Sequence, residues 1–378
     1  MLGTVPPIPV TPGDVTPEWL TAALTDSGVL RQGRVTEARW QRVGQDYGFT
    51  GVIGRVQLRY ANPGGDAPAS LVAKLPMATD AYASGYRRAQ ERDTEQVDRY
   101  YARCEREARF YGETPVAFAP TLYYAAADRE HRRVVLLLED VSGGRQGDVL
   151  HGCSVEDAEL VIDHVAPFHA NWWGNRAATY GFPRSGPDPQ SRERRYAARV
   201  DHLVDVYGAR IPPEVLELAE QLRSRLGVVA AALEARSQTL IHGDLHLDNM
   251  IFDGRGRSVT VLDWQTVSLG SPAWDVAMFL SGSLSVADRR AAERDLLDRY
   301  VSQLSSHGVS DYSLEELGQE YRLALLVLLA GTLHWLSTVD YDEATSRERA
   351  LQEDALAPDG RLMTAILDHD AAALLRVL

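Results

Sequence analysis

Residues 240–264 read LIHGDLHLDNMIFDGRGRSVTVLDW, and the order of polar and apolar residues in this stretch decides what the rest of the chain has to be. Two short apolar runs, Met250–Phe252 and residues 259–262, flank the turn-forming Asp253-Gly254-Arg255-Gly256, so the pair reads as a β-hairpin. The chemically active side chains stand at its edges. His242, Asp244, His246, Asp248 and Asn249 crowd the loop before the first strand, and Asp263 follows the second. Carboxylate and amide oxygens gathered in this way suit one divalent cation. Magnesium fits best, because it takes hard oxygen donors from one or two side chains and leaves its other positions to water and phosphate.

Spacing narrows the reading. Asp244 and Asn249 are five residues apart and Asp263 follows fourteen later, the separation at which kinase catalytic loops place a base Asp, a metal-binding Asn and, after the next hairpin, a second metal-binding Asp. Asp, Asn and Gly are also ordinary turn formers, so no one of these residues carries the argument; the ordered set, with apolar strands between its members, does. HGDLHLDN followed by LDW resembles the aminoglycoside phosphotransferase and choline kinase superfamily. LEDV at 138–141, FHANWW at 168–173 and DWQ at 263–265 are most similar to its ecdysteroid kinase-like branch, and the resemblance covers about residues 35–340. It implies an α+β, bilobal protein-kinase-like fold: an N-terminal lobe on a five-stranded antiparallel sheet, then a mainly helical C-terminal lobe. The expected divisions are a helical extension at 1–34, the nucleotide-binding lobe at 35–141 and the catalytic lobe at 142–378.

A chain of 378 residues is long enough for two lobes with separate cores. Fifty-three acidic against thirty-nine basic residues give a net charge of −14, which argues against nucleic acid or an anionic membrane as partner and would suit a cationic small molecule. Cys104 and Cys153 cannot build a disulfide framework, so a cytoplasmic location is expected. The N-terminal MLGTVPPIPVTPGDV lacks a basic region and an apolar core, and the longest apolar run, residues 323–333, is too short to span a bilayer. Lys74 is the only lysine; every other basic residue is arginine. Guanidinium is a planar fork and ammonium a compact point charge, so a lysine kept at a single position points to a site that an arginine would not fit.

Thr16-Pro17-Glu18 starts a helix, expected to pack on the outside of the strands after it. VTEARWQRV, VIGRVQLRY and SLVAKLP then read as three successive antiparallel strands. The first connection, GQDYGFTGVIG, brings Gly48 and Gly51 into a loop whose backbone amides can approach phosphate oxygens, although a plain glycine-rich hairpin reads equally well. Lys74 lies on the third strand in the context VAK, where protein kinases carry the lysine that contacts the α- and β-phosphates. Residues 91–112 form a charged helical stretch with Val97, Tyr100, Cys104, Ala108 and Tyr111 in a stripe that Phe110 widens towards Glu107. A carboxylate on the core side needs a cation, so Glu107 is paired with Lys74. Two further strands, 121–126 and 133–138, complete the sheet, and the family contacts adenine through the backbone that follows, which implies roles for Glu139 and Val141.

After this linker the chain reads as helical, with helices near 154–173, 192–208, 213–235, 272–280, 285–306, 313–338 and 345–375. His164 and His169 lack metal-ligand spacing and read as packing or surface residues. The resemblance gives ATP, with GTP as the other donor it allows, and Mg2+ as cofactors. It implies Asp244 as catalytic base, Asn249 and Asp263 as metal ligands, and His242, His246 and Asp275 as supports of the loop. Trp335, Asp340 and Asp342 end one helix, and an aromatic ring beside carboxylates would suit an ammonium group on the acceptor. The function so read is an ATP- and Mg-dependent small-molecule kinase acting on a hydroxyl, with aminoglycosides, amino sugars and choline-like molecules as acceptors and antibiotic resistance as one role. A neutral macrolide or sterol-like alcohol is the alternative acceptor, and a catalytically silent nucleotide-binding module the alternative function. A protein kinase is disfavoured by the absence of recognisable HRD, DFG and APE segments.

Overall fold

Side chains alternate between the two faces of a strand, and this alternation organises the first part of the chain. The computed structural model describes residues 6–43, 52–75, 94–114, 116–174, 180–186, 188–207, 210–337 and 344–378; Gly48, Gly51, Asp340 and Asp342 lie outside them. The fold is α+β. Its two compact units are Met1–Arg145 with Thr260–Gln265, and Gln146–Val259 with Thr266–Leu378.

The first unit holds α1 (Pro17–Asp26), β1 (Arg34–Arg42), β2 (Val52–Ala61), β3 (Ser70–Leu75), α2 (Thr94–Glu113), β4 (Leu122–Asp128) and β5 (Arg133–Glu139). Its five strands are all antiparallel and lie in the order β1-β2-β3-β5-β4. Leu71, Ala73 and Leu75 of β3 face one way with Val135 and Leu137 of β5, in a core that also takes Trp19, Leu20, Ala23 and Leu24 of α1. The odd positions of β3 thus belong to α1, and Val72 and Lys74 point to the opposite face. The N-terminal helix is therefore an integral layer of this unit, although the sequence divides it off as an extension. The cause is its own amphipathic stripe, started by Thr16, whose hydroxyl accepts the Trp19 N–H at 3.2 Å.

The second unit begins with α3 (Val155–Asn171), α4 (Pro189–Tyr207), α5 (Pro213–Leu222) and α6 (Leu226–Glu234). A single helix over 213–235 is the sequence expectation; the structure breaks it at Arg223–Arg225. Gly227 N–H is bonded to Glu193 Oε2 of α4 at 2.8 Å, so the next helix starts afresh against α4. Short strands follow: β6 (Thr239–Ile241), β7 (Met250–Phe252), β8 (Val259–Val261) and β9 (Ser268–Gly270). β6 and β9 pair antiparallel, and the turn between β7 and β8 is closed by Asp253 N–H to Ser258 O at 2.9 Å.

The remaining helices are α7 (Pro272–Ser283), α8 (Val286–Ser306), α9 (Leu314–Leu336), α10 (Ser346–Leu356) and α11 (Arg361–Asp368), with a 3-10 turn at Ala371–Arg376. The expected helix over 345–375 is thus two helices and a turn. Pro358 forces the residue before it into extended backbone, and Ala357 has φ −66° and ψ 131°. No described helix is long and apolar enough to cross a membrane.

Because Leu24 is fully buried between α1 and the sheet, Leu24→Ala should lower the stability of the chain by about 2–5 kcal/mol, read from urea unfolding. A change under about 0.5 kcal/mol, the size expected of a surface substitution, would remove α1 from the core.

Candidate active site

Lys74 sits at the centre of a buried charged cluster in the first unit. Strand alternation turns it away from α1, and its ammonium nitrogen lies 2.9 Å from Glu107 Oε1, 2.8 Å from Glu107 Oε2 and 2.6 Å from Asp263 Oδ1. Lys74 is 6% exposed and Glu107 fully buried. The helical period brings Glu107 there, since Cys104, Ala108 and Tyr111 of the same α2 face are buried with it.

Asp263 reaches the lysine from a backbone turn with φ 60°, a conformation that Asp tolerates better than most residues. Its second oxygen accepts from Gln265 Nε2 at 3.0 Å. Between them Trp264 is fully buried, stacked on Phe110 with ring centroids 4.2 Å apart, and donates its indole N–H to Val261 O at 2.9 Å. Every residue of the DWQ motif is thus engaged, the carboxylate on lysine, the ring in the core and the amide in orienting the carboxylate.

One ammonium here serves two carboxylates. Burial pushes the Glu107 carboxyl up to about 7 from an ordinary 4.5; the Lys74 ammonium pulls it down, and the Asp263 charge pushes it up again. Burial opposes the charge on Lys74 as well, but Asp263 and Glu107 outweigh it and hold the ammonium well above its ordinary range. With both carboxyls ionised the cluster carries excess negative charge in a place where water screens it poorly, and this suits a further cation. Among the described residues there is no group of three or more His, Cys, Asp or Glu side chains that could hold a metal ion.

The second unit holds the loop that carries Asp244 and Asn249. Asp275, in the first turn of α7, accepts the backbone N–H of His242 at 2.7 Å and of Gly243 at 2.9 Å. The loop is thus tied down through its backbone, and its side chains are left for other work. His242 Nδ1 in turn accepts the Asp244 N–H at 3.2 Å, and Thr266 Oγ1 donates to His242 O at 2.9 Å. Asn249 is buried; its amide donates to Asp244 O at 3.0 Å, so the carboxamide oxygen faces the other way. His246 Nε2 lies 3.2 Å from Asn249 Nδ2 and 3.5 Å from Asp244 Oδ2. Burial raises the Asp244 carboxyl, but the charges and hydrogen bonds of His246, His242 and Asn249 outweigh it and hold it below the ordinary carboxylate range.

The structure thus brings Lys74, Glu107 and Asp263 together in one unit, and His242, Asp244, His246, Asn249 and Asp275 in the other. Glu139 ends β5; its side chain accepts from Thr121 Oγ1 at 2.8 Å and its N–H donates to Thr121 O at 2.9 Å. Val141 lies in the loop after β5, its carbonyl accepting from Gly144 N–H at 3.3 Å. Trp335 is half-buried on the last turn of α9. The sequence reading missed His169, which is fully buried, 3.3 Å from Asp275 Oδ2 through Nε2 and 2.7 Å from Tyr300 OH through Nδ1. The signal available was its place within FHANWW, and helical periodicity could not separate it from a packing histidine.

Residues 45–171 match the ecdysteroid kinase-like family. Residues 190–357 match a second family, described as "Uncharacterized oxidoreductase dhs-27". An uncharacterized kinase-like protein of Caenorhabditis elegans is 29% identical over 100 residues, 26% of this chain and 27% of that protein. The matched region therefore spans about a quarter of that relative's length. Among solved structures, a candidate aminoglycoside phosphotransferase from Ralstonia eutropha superposes with a TM-score of 0.53 at 15% identity, covering 91% of this chain and 98% of that one. A choline kinase from Cryptosporidium parvum gives 0.50 at 12% identity, covering 90% of each chain. At these identities the likeness is one of fold.

Two outcomes are expected of the metal-free protein. Asp275→Ala leaves two backbone N–H groups of the loop without their acceptor, which costs about 1–3 kcal/mol for each buried group; urea unfolding indistinguishable from wild type would contradict the brace. Glu107 keeps a proton in the folded state that the unfolded chain releases, so its contribution favours folding below about 4.5 and is lost as pH rises towards about 7. The stability of Glu107→Gln relative to wild type should therefore increase across that window, and a flat difference would mean that burial does not raise the Glu107 carboxyl.

Proposed function

We propose that this chain is an ATP- and magnesium-dependent kinase that transfers the γ-phosphoryl group to a hydroxyl of a small molecule, with an amine-bearing metabolite or antibiotic as the preferred acceptor. The observation that supports this reading is the lone lysine, buried and held by one carboxylate from a helix and a second from the residue after the hairpin. Phosphoryl transfer needs little covalent work from a protein; it needs the reactants held in line and the charge on the phosphoryl oxygens offset.

In this reading Lys74 holds the phosphates of the nucleotide and Glu107 fixes Lys74. Asn249 and Asp263 are the side chains that would hold magnesium, whose chemistry when bound is to offset negative charge on the terminal phosphates. Asp244 orients the acceptor hydroxyl. As the hydroxyl oxygen bonds to the γ-phosphorus and the bond to the bridging oxygen breaks, the proton passes to Asp244 and the nucleoside diphosphate leaves. A carboxyl held below its ordinary range favours orientation first and proton acceptance late. Gly48 and Gly51 are proposed to approach the phosphates, and the backbone about Glu139 and Val141 the adenine. Trp335, Asp340 and Asp342 are proposed at the acceptor. The acidic net charge and the proposed carboxylates there favour a cationic acceptor.

An oxidoreductase using a dinucleotide finds no support in the residues. Its glycine fingerprint joins a strand to a helix, whereas Gly254-Arg255-Gly256 lies in the turn between β7 and β8.

A panel of aminoglycosides, amino sugars, choline-like alcohols, macrolides and sterols, assayed with magnesium and ATP or GTP, tests the proposal. One class should yield a phosphorylated product in step with nucleoside diphosphate; slow hydrolysis unaffected by every acceptor would favour a silent nucleotide-binding module. Asp244→Asn should reduce turnover by about 10²–10⁴-fold while nucleotide affinity holds, and wild-type turnover in that variant would take Asp244 out of the mechanism. In Asp263→Asn, magnesium and nucleotide affinity should weaken together.

A further inference from the structure

The C-terminal helices of the second unit reach back to the catalytic loop through two arginines. α10 is capped by Thr345, whose hydroxyl accepts the Glu348 N–H at 3.2 Å, and Arg347 stands in its first turn. A cation there opposes the helix dipole, so the local helix gains nothing from it. Its gain is tertiary. One terminal nitrogen donates to both carboxylate oxygens of Asp248 at 2.8 Å, and the other donates to Asp148 Oδ1 at 3.0 Å.

Asp248 precedes Asn249 in the 3-10 turn Leu247–Asn249 and is gripped from two more directions. Val149 N–H donates to its Oδ1 at 2.9 Å, and Gln146 Nε2 donates to its carbonyl at 2.7 Å. Residues 146–149 form a strap laid directly on the loop: a Cβ on Gly147 would stand 2.2 Å from Leu247 O, and Gly147 N–H donates to Met250 O at 2.9 Å. Arg361 of α11 secures the strap from behind, donating to the carbonyls of Val149, Leu150 and Gly282. The planar guanidinium that spans Asp248 and Asp148 is the directional contact in this arrangement, and an ammonium would not reproduce it.

We propose that Arg347 is a positioning residue of the catalytic loop: by gripping Asp248 it fixes the turn Leu247–Asn249, and with it the direction in which the Asn249 carboxamide oxygen is offered to magnesium. The inference rests on the kinase reading, and it assigns a hold on the metal site to a residue 99 positions downstream of Asp248. Groups that orient metal ligands from outside the coordination shell commonly change metal affinity by about 10–100-fold when removed.

Calorimetric titration of the full chain with ADP over a series of Mg2+ concentrations separates positioning from simple stability. Wild type should bind ADP more tightly as Mg2+ rises. Arg347→Met should need about 10–100-fold more Mg2+ for the same gain, with metal-free ADP affinity unchanged. Because that variant strands the Asp248 carboxylate, the double variant Arg347→Met/Asp248→Asn is measured beside it, and thermal unfolding of both confirms that they are folded. A raised Mg2+ requirement in both variants supports the proposal. A requirement that returns to the wild-type value in the double variant, or a fall in unfolding temperature with no change in requirement, overturns it. ADP binding to wild type without any magnesium dependence would remove the kinase reading itself, a result distinct from an unmoved variant.

Discussion

A single ammonium shared between two buried carboxylates is the interaction on which the first unit depends. Lys74 cannot neutralise Glu107 and Asp263 together, and burial raises the cost of the surplus charge, so the arrangement persists only because its surroundings leave none of the three an alternative. Strand alternation denies Lys74 the α1 face. The register of α2 puts Glu107 among apolar neighbours, and the stacked Trp264 anchors the turn that carries Asp263. A cluster assembled against its own electrostatics is weak evidence for a contribution to stability.

The second unit solves a different problem. Its loop is held largely through its main chain. Asp275 takes two backbone N–H groups, and His169 and Tyr300 continue from it into the core. On the other flank the grip falls on Asp248, the one acidic residue of the loop spent on arginine. Inner and outer supports thus divide the loop between them, and both use charge-assisted hydrogen bonds, which are shorter and stronger than neutral ones.

Much of this was legible in the chain because it depends on local order. Five strands, the helix that carries Glu107, the hairpin after the loop and the sole lysine all follow from periodicity, turn residues and composition. Misreadings arose where a local pattern met a distant constraint. The helix expected over 213–235 breaks because Gly227 is claimed by Glu193 of another helix, and the N-terminal helix, set apart by sequence, supplies core to the sheet. His169 reads as packing in one dimension and is a buried polar link in three.

The sequence by itself therefore determined the kinds of element, the identity of the charged side chains, and the family resemblance, since each is written in residue type and short-range spacing. Only the tertiary structure decided that Glu107 and Asp263 share one lysine, that Asp275 binds backbone and not side chain, and that Arg347 holds Asp248. These are pairings between residues 32 to 189 positions apart, and no local propensity encodes them. They arise when burial removes water as a competing partner, so that each polar group must find another within reach of the folded chain.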